Sequence, residues 1–188
     1  MGCISYNCQD LEEHVVNTCG ETMKGGGREV LIFTCDSATL AADDFDNDTL
    51  INQDIADGKA VLVQEIKVGW SAPSPVDQGA TYIAGNLPKT VTYDWTGTWM
   101  DENVSAVNDA SYESINASSG FNAGAILVKN TDEDTNGLLI VPTSGALLFK
   151  GGLINPDDNT DDVHYEYNIV WKSTESPKVQ VLPTGIFS

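Results

Sequence analysis

Basic residues are scarce in this sequence. Its 188 residues include nine Lys and Arg against 28 Asp and Glu, which gives a formal net charge of −19 at pH 7. A charge of this sign and size repels phosphate backbones and anionic lipid rather than attracting them. The composition therefore argues against sequence-specific nucleic-acid binding and against a membrane-surface role.

Long apolar runs are also lacking. No stretch approaches the ~18 apolar residues of a membrane-spanning helix. The first residues contain no hydrophobic signal-peptide segment, because Asp10, Glu12, Glu13 and His14 interrupt them. We therefore expect a chain without a membrane partner, whose mature form begins near Met1.

Cysteines are few and catalytic motifs are missing. All four cysteines lie within the first 35 residues and lack the C-x₂-C spacing of zinc sites: Cys3, Cys8, Cys19 and Cys35. No Gly-x-Ser-x-Gly or Cys–His arrangement surrounds His14 or His164. The sequence predicts reduced thiols, with one or two disulfides formed later in an oxidising medium as the alternative. It also predicts no catalytic residue, no cofactor and no metal ligand, and hence a protein that is not an enzyme.

One acidic stretch matches the first half of an EF-hand calcium loop. Asp132, Asp134 and Asn136 alternate and Gly137 follows them, but the twelfth position, which needs a bidentate Glu, is Thr143. The flanking residues are apolar and β-branched, and Asn-Gly is a strong hairpin signal. The pattern therefore favours a β-hairpin over a calcium site.

Two pairs of adjacent acids stand in predicted loops, Asp43/Asp44 and Asp157/Asp158. Such pairs could bind a divalent cation at a junction between subunits. Loop carboxylates are, however, ordinarily just solvated. The sequence leaves both interpretations open.

Alternation of apolar and polar residues is the clearest pattern present. Val163, Tyr165, Tyr167, Ile169 and Trp171 occupy every second position. In an extended chain they share one face, so the pattern predicts a half-buried strand over 163–172. Such a strand needs a second layer to cover its aromatic residues. The sequence therefore predicts a mainly β protein with an antiparallel β-sandwich or barrel.

Seven further segments have the composition of strands. They are 28–34, 60–68, 90–96, 125–128, 138–141, 146–149 and 178–182. The first half of 60–68 is apolar on both faces, which predicts a central strand. Apolar residues at helical spacing predict a single helix from Asp101 to about residue 117, with Asp101 as its N-cap. We therefore expect about eight strands and one helix in a single β-rich domain at 28–188, with a surface loop at 43–48, a long loop at 69–88, and an N-terminal arm at 1–27.

Four tryptophans are present. Trp95 and Trp171 share their predicted faces with core-type residues, so we expect both to be buried. Trp70 and Trp99 lie beside predicted loops and could stack on sugars. This leaves a carbohydrate-binding module as one possible function.

One stretch resembles a known family. Cys19 followed by Gly25-Gly26-Gly27-Arg28-Glu29-Val30-Leu31-Ile32-Phe33 resembles the opening of small structural proteins from tailed phages of Bacteroidetes-type hosts. Those openings place a Cys, then Gly-Gly, an apolar residue, Lys or Arg, Glu and a β-run. Here Gly27 stands where the apolar residue is expected, and the resemblance covers about fifteen positions.

The resemblance implies a virion component made in the host cytoplasm, with a tail tube subunit as the first expectation. The family fold is a small β-sandwich with one helix, assembled into stacked rings; we expect a homo-oligomeric ring, a hexamer, that also contacts other virion proteins. Acidic walls would help DNA slide through such a tube, because they repel its phosphates. The alternatives are a capsid decoration or head-fibre protein and the carbohydrate-binding module.

Overall fold

The computed structural model describes residues 26–75, 92–105, 108, 112, 121–130, 134–157 and 162–187. Within them lie two helices, α1 (Ala38–Ala42) and α2 (Asp48–Ala56), and eleven strands. The strands are β1 (Gly27–Phe33), β2 (Ala60–Val63), β3 (Lys67–Trp70), β4 (Ser74–Pro75), β5 (Tyr93–Asp101), β6 (Phe121–Ala123), β7 (Ala125–Asn130), β8 (Asn136–Ile140), β9 (Ser144–Ile154), β10 (His164–Ser173) and β11 (Lys178–Val181). All pair antiparallel in one sheet, so the predicted mainly β, antiparallel class is confirmed. No described helix has the length and apolarity to span a bilayer.

The strand pairings return to the strand from which they start. In four places two consecutive strands follow each other in the same position of the sheet, separated by a short break, and we call each such position a course. The four pairs are β2 with β3, β6 with β7, β8 with β9, and β10 with β11. From β1 the pairings lead to β6/β7, β8/β9, β11/β10, β5, and β3/β2, which pairs with β1 again. The sequence did not distinguish a sandwich from a barrel. The structure contains one sheet whose six courses each have two neighbours.

Gly124 lies where this circuit closes. The chain pairs with β9 through β6, passes Gly124, and pairs with β1 through β7. A Cβ at Gly124 would lie 2.4 Å from a Leu40 methyl and 2.9 Å from the Thr34 carbonyl oxygen. The bend therefore requires a residue without a side chain.

Two hydrophobic clusters lie on the two faces of the sheet. The larger one takes residues from all six courses, among them Val30, Trp95 and Tyr167. The smaller one contains Leu31 and Phe33 and is covered by α1, α2 and the C-terminal residues. Strand β1 is therefore apolar on both faces because both are covered.

Several boundaries differ from those predicted. The predicted strand 60–68 is broken at Gln64–Ile66, where Glu65 has a φ of 58°, and the register to β1 shifts by two residues. Its first half does not have the predicted central position among the described strands, since β2 pairs there with β1 alone and Val61 is 48 % exposed. Val163 precedes β10 and is 37 % exposed, so its predicted core position is wrong.

Other predicted segments fall partly outside the described residues. Strand 90–96 is observed as β5, which starts at Tyr93 and runs on to Asp101. Strand β1 begins at Gly27, inside the predicted arm, of which residues 1–25 are not described. The predicted loop at 69–88 includes the end of β3 and the short β4, and from residue 76 onward it is not described.

The sequence did not predict helices α1 and α2, which flank the loop expected at 43–48. Helix α1 has only five residues and depends on Asp54 of α2. The buried Asp54 carboxylate accepts hydrogen bonds from the Ser37 hydroxyl (2.7 Å) and from the backbone N–H groups of Ala38 and Thr39 (both 2.9 Å). Burial alone would raise the pKa of Asp54, but these hydrogen bonds outweigh it and lower the pKa to about 2.

We expect Asp54→Asn to lower the free energy of unfolding by about 2.5 kcal/mol at pH 7, the equivalent of a pKa lowered from 3.8 to about 2. A depressed folded-state pKa stabilises the fold above the unfolded-state pKa, and the contribution is lost as the pH falls through about 2. The gap between wild type and variant in urea unfolding should therefore shrink from pH 5 to pH 2. The control Asp46→Asn alters an exposed loop carboxylate; a pH-independent gap for Asp54→Asn would contradict this account.

Candidate functional site

A chain of buried hydrogen bonds lies at the end of strand β5. The Trp99 indole N–H donates to the Tyr112 hydroxyl (3.0 Å), which donates to one Asp101 carboxylate oxygen (2.8 Å). The other Asp101 oxygen accepts from the backbone N–H of Asn103 (2.8 Å). Asp101 is buried, and both its oxygens accept hydrogen bonds within this chain. We infer that it is a structural carboxylate rather than a general acid or base.

This arrangement corrects the predicted role of Asp101 as a helix N-cap. Asp101 is the last residue of β5, and it is the Ser105 hydroxyl that accepts from the backbone N–H of Asn108 (3.2 Å), as an N-cap does. Residues 102–105 of the predicted helix have no regular secondary structure, and beyond them only Asn108 and Tyr112 are described, both in helical conformation.

Tyr112 also belongs to an aromatic stack. Its ring centroid lies 4.1 Å from that of Tyr165 and 5.4 Å from that of Tyr167. Burial and the nearby Asp101 carboxylate raise the pKa of Tyr112. The hydroxyl therefore stays protonated and remains a hydrogen-bond donor to Asp101.

Three of the four tryptophans are buried. Trp95 and Trp171 stack with centroids 5.7 Å apart, which confirms their predicted core positions. Trp99, for which the sequence left a sugar-stacking role open, is 1 % exposed and packs edge-on against Phe149. Trp70 is half-buried against the same cluster. These rings fill the core rather than forming a flat platform for a sugar, so nothing here favours the carbohydrate-binding module.

The predicted hairpin is confirmed, since β7 and β8 pair from Ile126↔Ile140 to Lys129↔Gly137. Asn136 and Gly137 already belong to β8, so the turn precedes them. The Asp134 carboxylate lies 3.5 Å from the Lys129 ammonium, while Asp132 is not described.

The remaining polar candidates are scattered over the surface. Asp43 is the C-cap of α1, and the Asp44 carboxylate accepts from the Asn47 side chain (2.8 Å). Asp157 is exposed, whereas Asp158 and His14 lie outside the described residues. His164 lies 3.6 Å from the Glu166 carboxylate. In the part of the chain that the structure describes, no group of three His, Cys, Asp or Glu is placed to hold a metal ion.

Strand β11 has one open edge. It pairs with β8 on one side, and no described strand pairs with the other. Because the N–H of Leu182 donates to the Thr135 carbonyl (2.9 Å), antiparallel alternation turns the backbone groups of Val179 and Val181 outward. Their side chains are 66 % and 50 % exposed. Pro177 and Pro183, which have no N–H, limit the edge to these two residues.

Strand β2 has a second open edge. It pairs only with β1 among the described strands. Since the N–H of Thr34 donates to the Lys59 carbonyl (2.9 Å), the same alternation turns the backbone groups of Ala60 and Leu62 outward. This edge faces a groove of about 950 Å³ whose lining includes β2 and residues 101–103.

Acidic residues concentrate on the helical layer. Six aspartates there are exposed or half-exposed: Asp36, Asp43, Asp44, Asp46, Asp48 and Asp57. Lys59 is the only basic residue between positions 29 and 66. The outer face of the helical layer is therefore strongly negative.

Comparisons with known proteins leave this site without a precedent. No protein-family model matches the chain, and neither the curated proteins nor the solved structures yield a match. The family resemblance stays a prediction.

The sequence predicted neither of the two edges that lack a partner among the described strands. The one signal available for β11 was the pair of prolines that brackets 178–182, because a proline on each side bounds a short edge strand. For β2 there was none, since its apolar run looked like a central strand.

Proposed function

We propose that the protein is a self-assembling structural subunit of a virion, of the tail tube type, that forms rings of copies. The open edge of β11 carries this proposal. A strand edge without a partner strand can pair with a strand of another chain. Here, between Pro177 and Pro183, two exposed valines stand on an edge that no described strand covers. An edge of this kind is suited to pairing with another copy.

The acidic helical layer supports a tube in particular. A wall of aspartates facing a channel would repel DNA phosphates and let the DNA pass without binding. We assign this role to the α1–α2 face, where the exposed acids are concentrated. The ring, expected as a hexamer, would place copies of that face around one axis.

The proposal predicts that assembly depends on ionic strength. Carboxylates from several copies would repel one another within the Debye length, ~8 Å at physiological salt, and oppose ring closure. We expect light scattering to show larger assemblies as NaCl or MgCl₂ rises, and electron microscopy to show rings or cylinders with a negative inner wall. A protein that stays monomeric at high concentration in every salt would refute self-assembly.

Microscopy also tests the position in the virion. Acids displayed on an outer surface over a shell lattice would refute the tube and indicate a capsid decoration protein. A variant with Asp43, Asp44 and Asp46 changed to Asn should assemble at lower salt than wild type, since the repulsion is reduced. A matched variant that neutralises the exposed acids Asp134, Asp157 and Asp162, which lie outside the helical layer, serves as the control for total charge.

A further inference from the structure

Resting on the proposed self-assembly, we propose that β11 of one copy pairs antiparallel with β2 of the next, so that copies join head to tail through their sheets. The occupant of each open edge is thus a second copy of this chain. The groove beside β2 provides the space for the added strand.

The positions of the two edges favour a head-to-tail contact. Strand β11 follows β10 beyond the Tyr93 end of β5, whereas β2 precedes β3 beyond the Asp101 end. The edges therefore lie at opposite ends of the same strand. Pairing β11 with its own equivalent would leave every β2 edge open, whereas β11-to-β2 pairing satisfies both and can close a ring.

Charge complementarity selects the register. Placing Val181 opposite Leu62 aligns the outward backbone groups of both strands. Continued past the end of β2, the same register brings Lys178 next to Glu65, which lies in the break between β2 and β3 with a φ of 58°. Both side chains are exposed. Lys178 lies 2.6 Å from the Glu175 carboxylate of its own copy, while Glu65 makes no ion pair within its own copy in the part that the structure describes. A second carboxylate brought close to Lys178 stabilises the contact between the copies.

Two charge reversals test this contact. Lys178→Glu would face Glu65, and Glu65→Lys would face Lys178, so each variant alone places like charges opposite each other at every junction. We expect each to raise the concentration needed for assembly about tenfold, equivalent to ~1.4 kcal/mol per junction. An equimolar mixture should assemble like wild type, because every mixed junction again pairs Lys with Glu.

The outcomes separate the two proposals. If wild type never assembles, the proposed function fails. If wild type assembles but the mixture does not recover, the β11–β2 register is wrong. Assembly of Glu65→Lys alone at the wild-type concentration would indicate β11-to-β11 pairing and overturn the head-to-tail contact.

A second variant is independent of charge. Val179→Pro removes only an outward N–H, so the fold should persist by circular dichroism while assembly is lost. Val141→Pro, at an exposed position outside the strands, is the control. Assembly of Val179→Pro equal to wild type would exclude β11 as the contact.

Discussion

Replacing Gly151 with alanine should destabilise the protein by more than about 3 kcal/mol. Gly151 lies in β9, where a Cβ would be 1.9 Å from the Glu166 carbonyl oxygen and 2.7 Å from the Tyr167 Cα. Both are backbone atoms of β10 and cannot rotate away, as the end of a side chain could. Accommodating the methyl group requires β9 and β10 to separate.

The adjacent Gly152 is a matched control for this prediction. A Cβ there meets no atom within 4 Å. Gly152→Ala should therefore change stability by less than about 0.5 kcal/mol. Urea unfolding followed by tryptophan fluorescence measures both variants. Equal stabilities for the two would mean that β9 does not approach β10 so closely.

Truncating Tyr112 should destabilise the protein to a similar extent. Tyr112→Ala removes a buried ring that stacks on Tyr165 and Tyr167, and we expect a loss of about 4 kcal/mol. Tyr112→Phe keeps the ring but removes the hydroxyl between Asp101 and Trp99. The Asp101 carboxylate then loses a donor in a buried site, at a cost of about 2 kcal/mol.

Tyr93 is the matched control for the hydroxyl. It packs against the same cluster, and its hydroxyl has no hydrogen bond among the described residues. Tyr93→Phe should change stability by less than about 0.5 kcal/mol. Thermal unfolding of the three variants separates loss of the ring from loss of the hydrogen bond. A Tyr112→Phe variant as stable as wild type would show that the Trp99–Tyr112–Asp101 chain contributes nothing.

Short-range pattern accounts for what the sequence determined by itself. Strict alternation in 165–171 depends only on the two-residue repeat of a strand, and all four of its apolar residues are buried as expected. The β7–β8 hairpin joins neighbouring segments, so two apolar runs around a polar turn were enough to predict it. The net negative charge followed from counting the charged residues alone.

Contacts between distant segments decided the rest. Asp54 caps a helix that begins 16 residues earlier, so α1 has no adequate signal of its own. The sequence placed Trp99 beside a loop, whereas in the structure its indole N–H donates a hydrogen bond to Tyr112, on a segment beyond β5. Gly124 closes the sheet because of where Leu40 and Thr34 lie.

The candidate assembly edges follow the same division. The composition of 178–182 predicted a strand. Whether the outer side of that strand is covered depends on where the other strands end. The described part of β5 starts at Tyr93, opposite Ser173, so no described strand pairs with the outer side of Val179 and Val181. Propensity and periodicity act over a few neighbouring residues, whereas an open edge results from how all the strands pair. The strand itself was therefore determined by the sequence pattern, and its open edge by the tertiary structure alone.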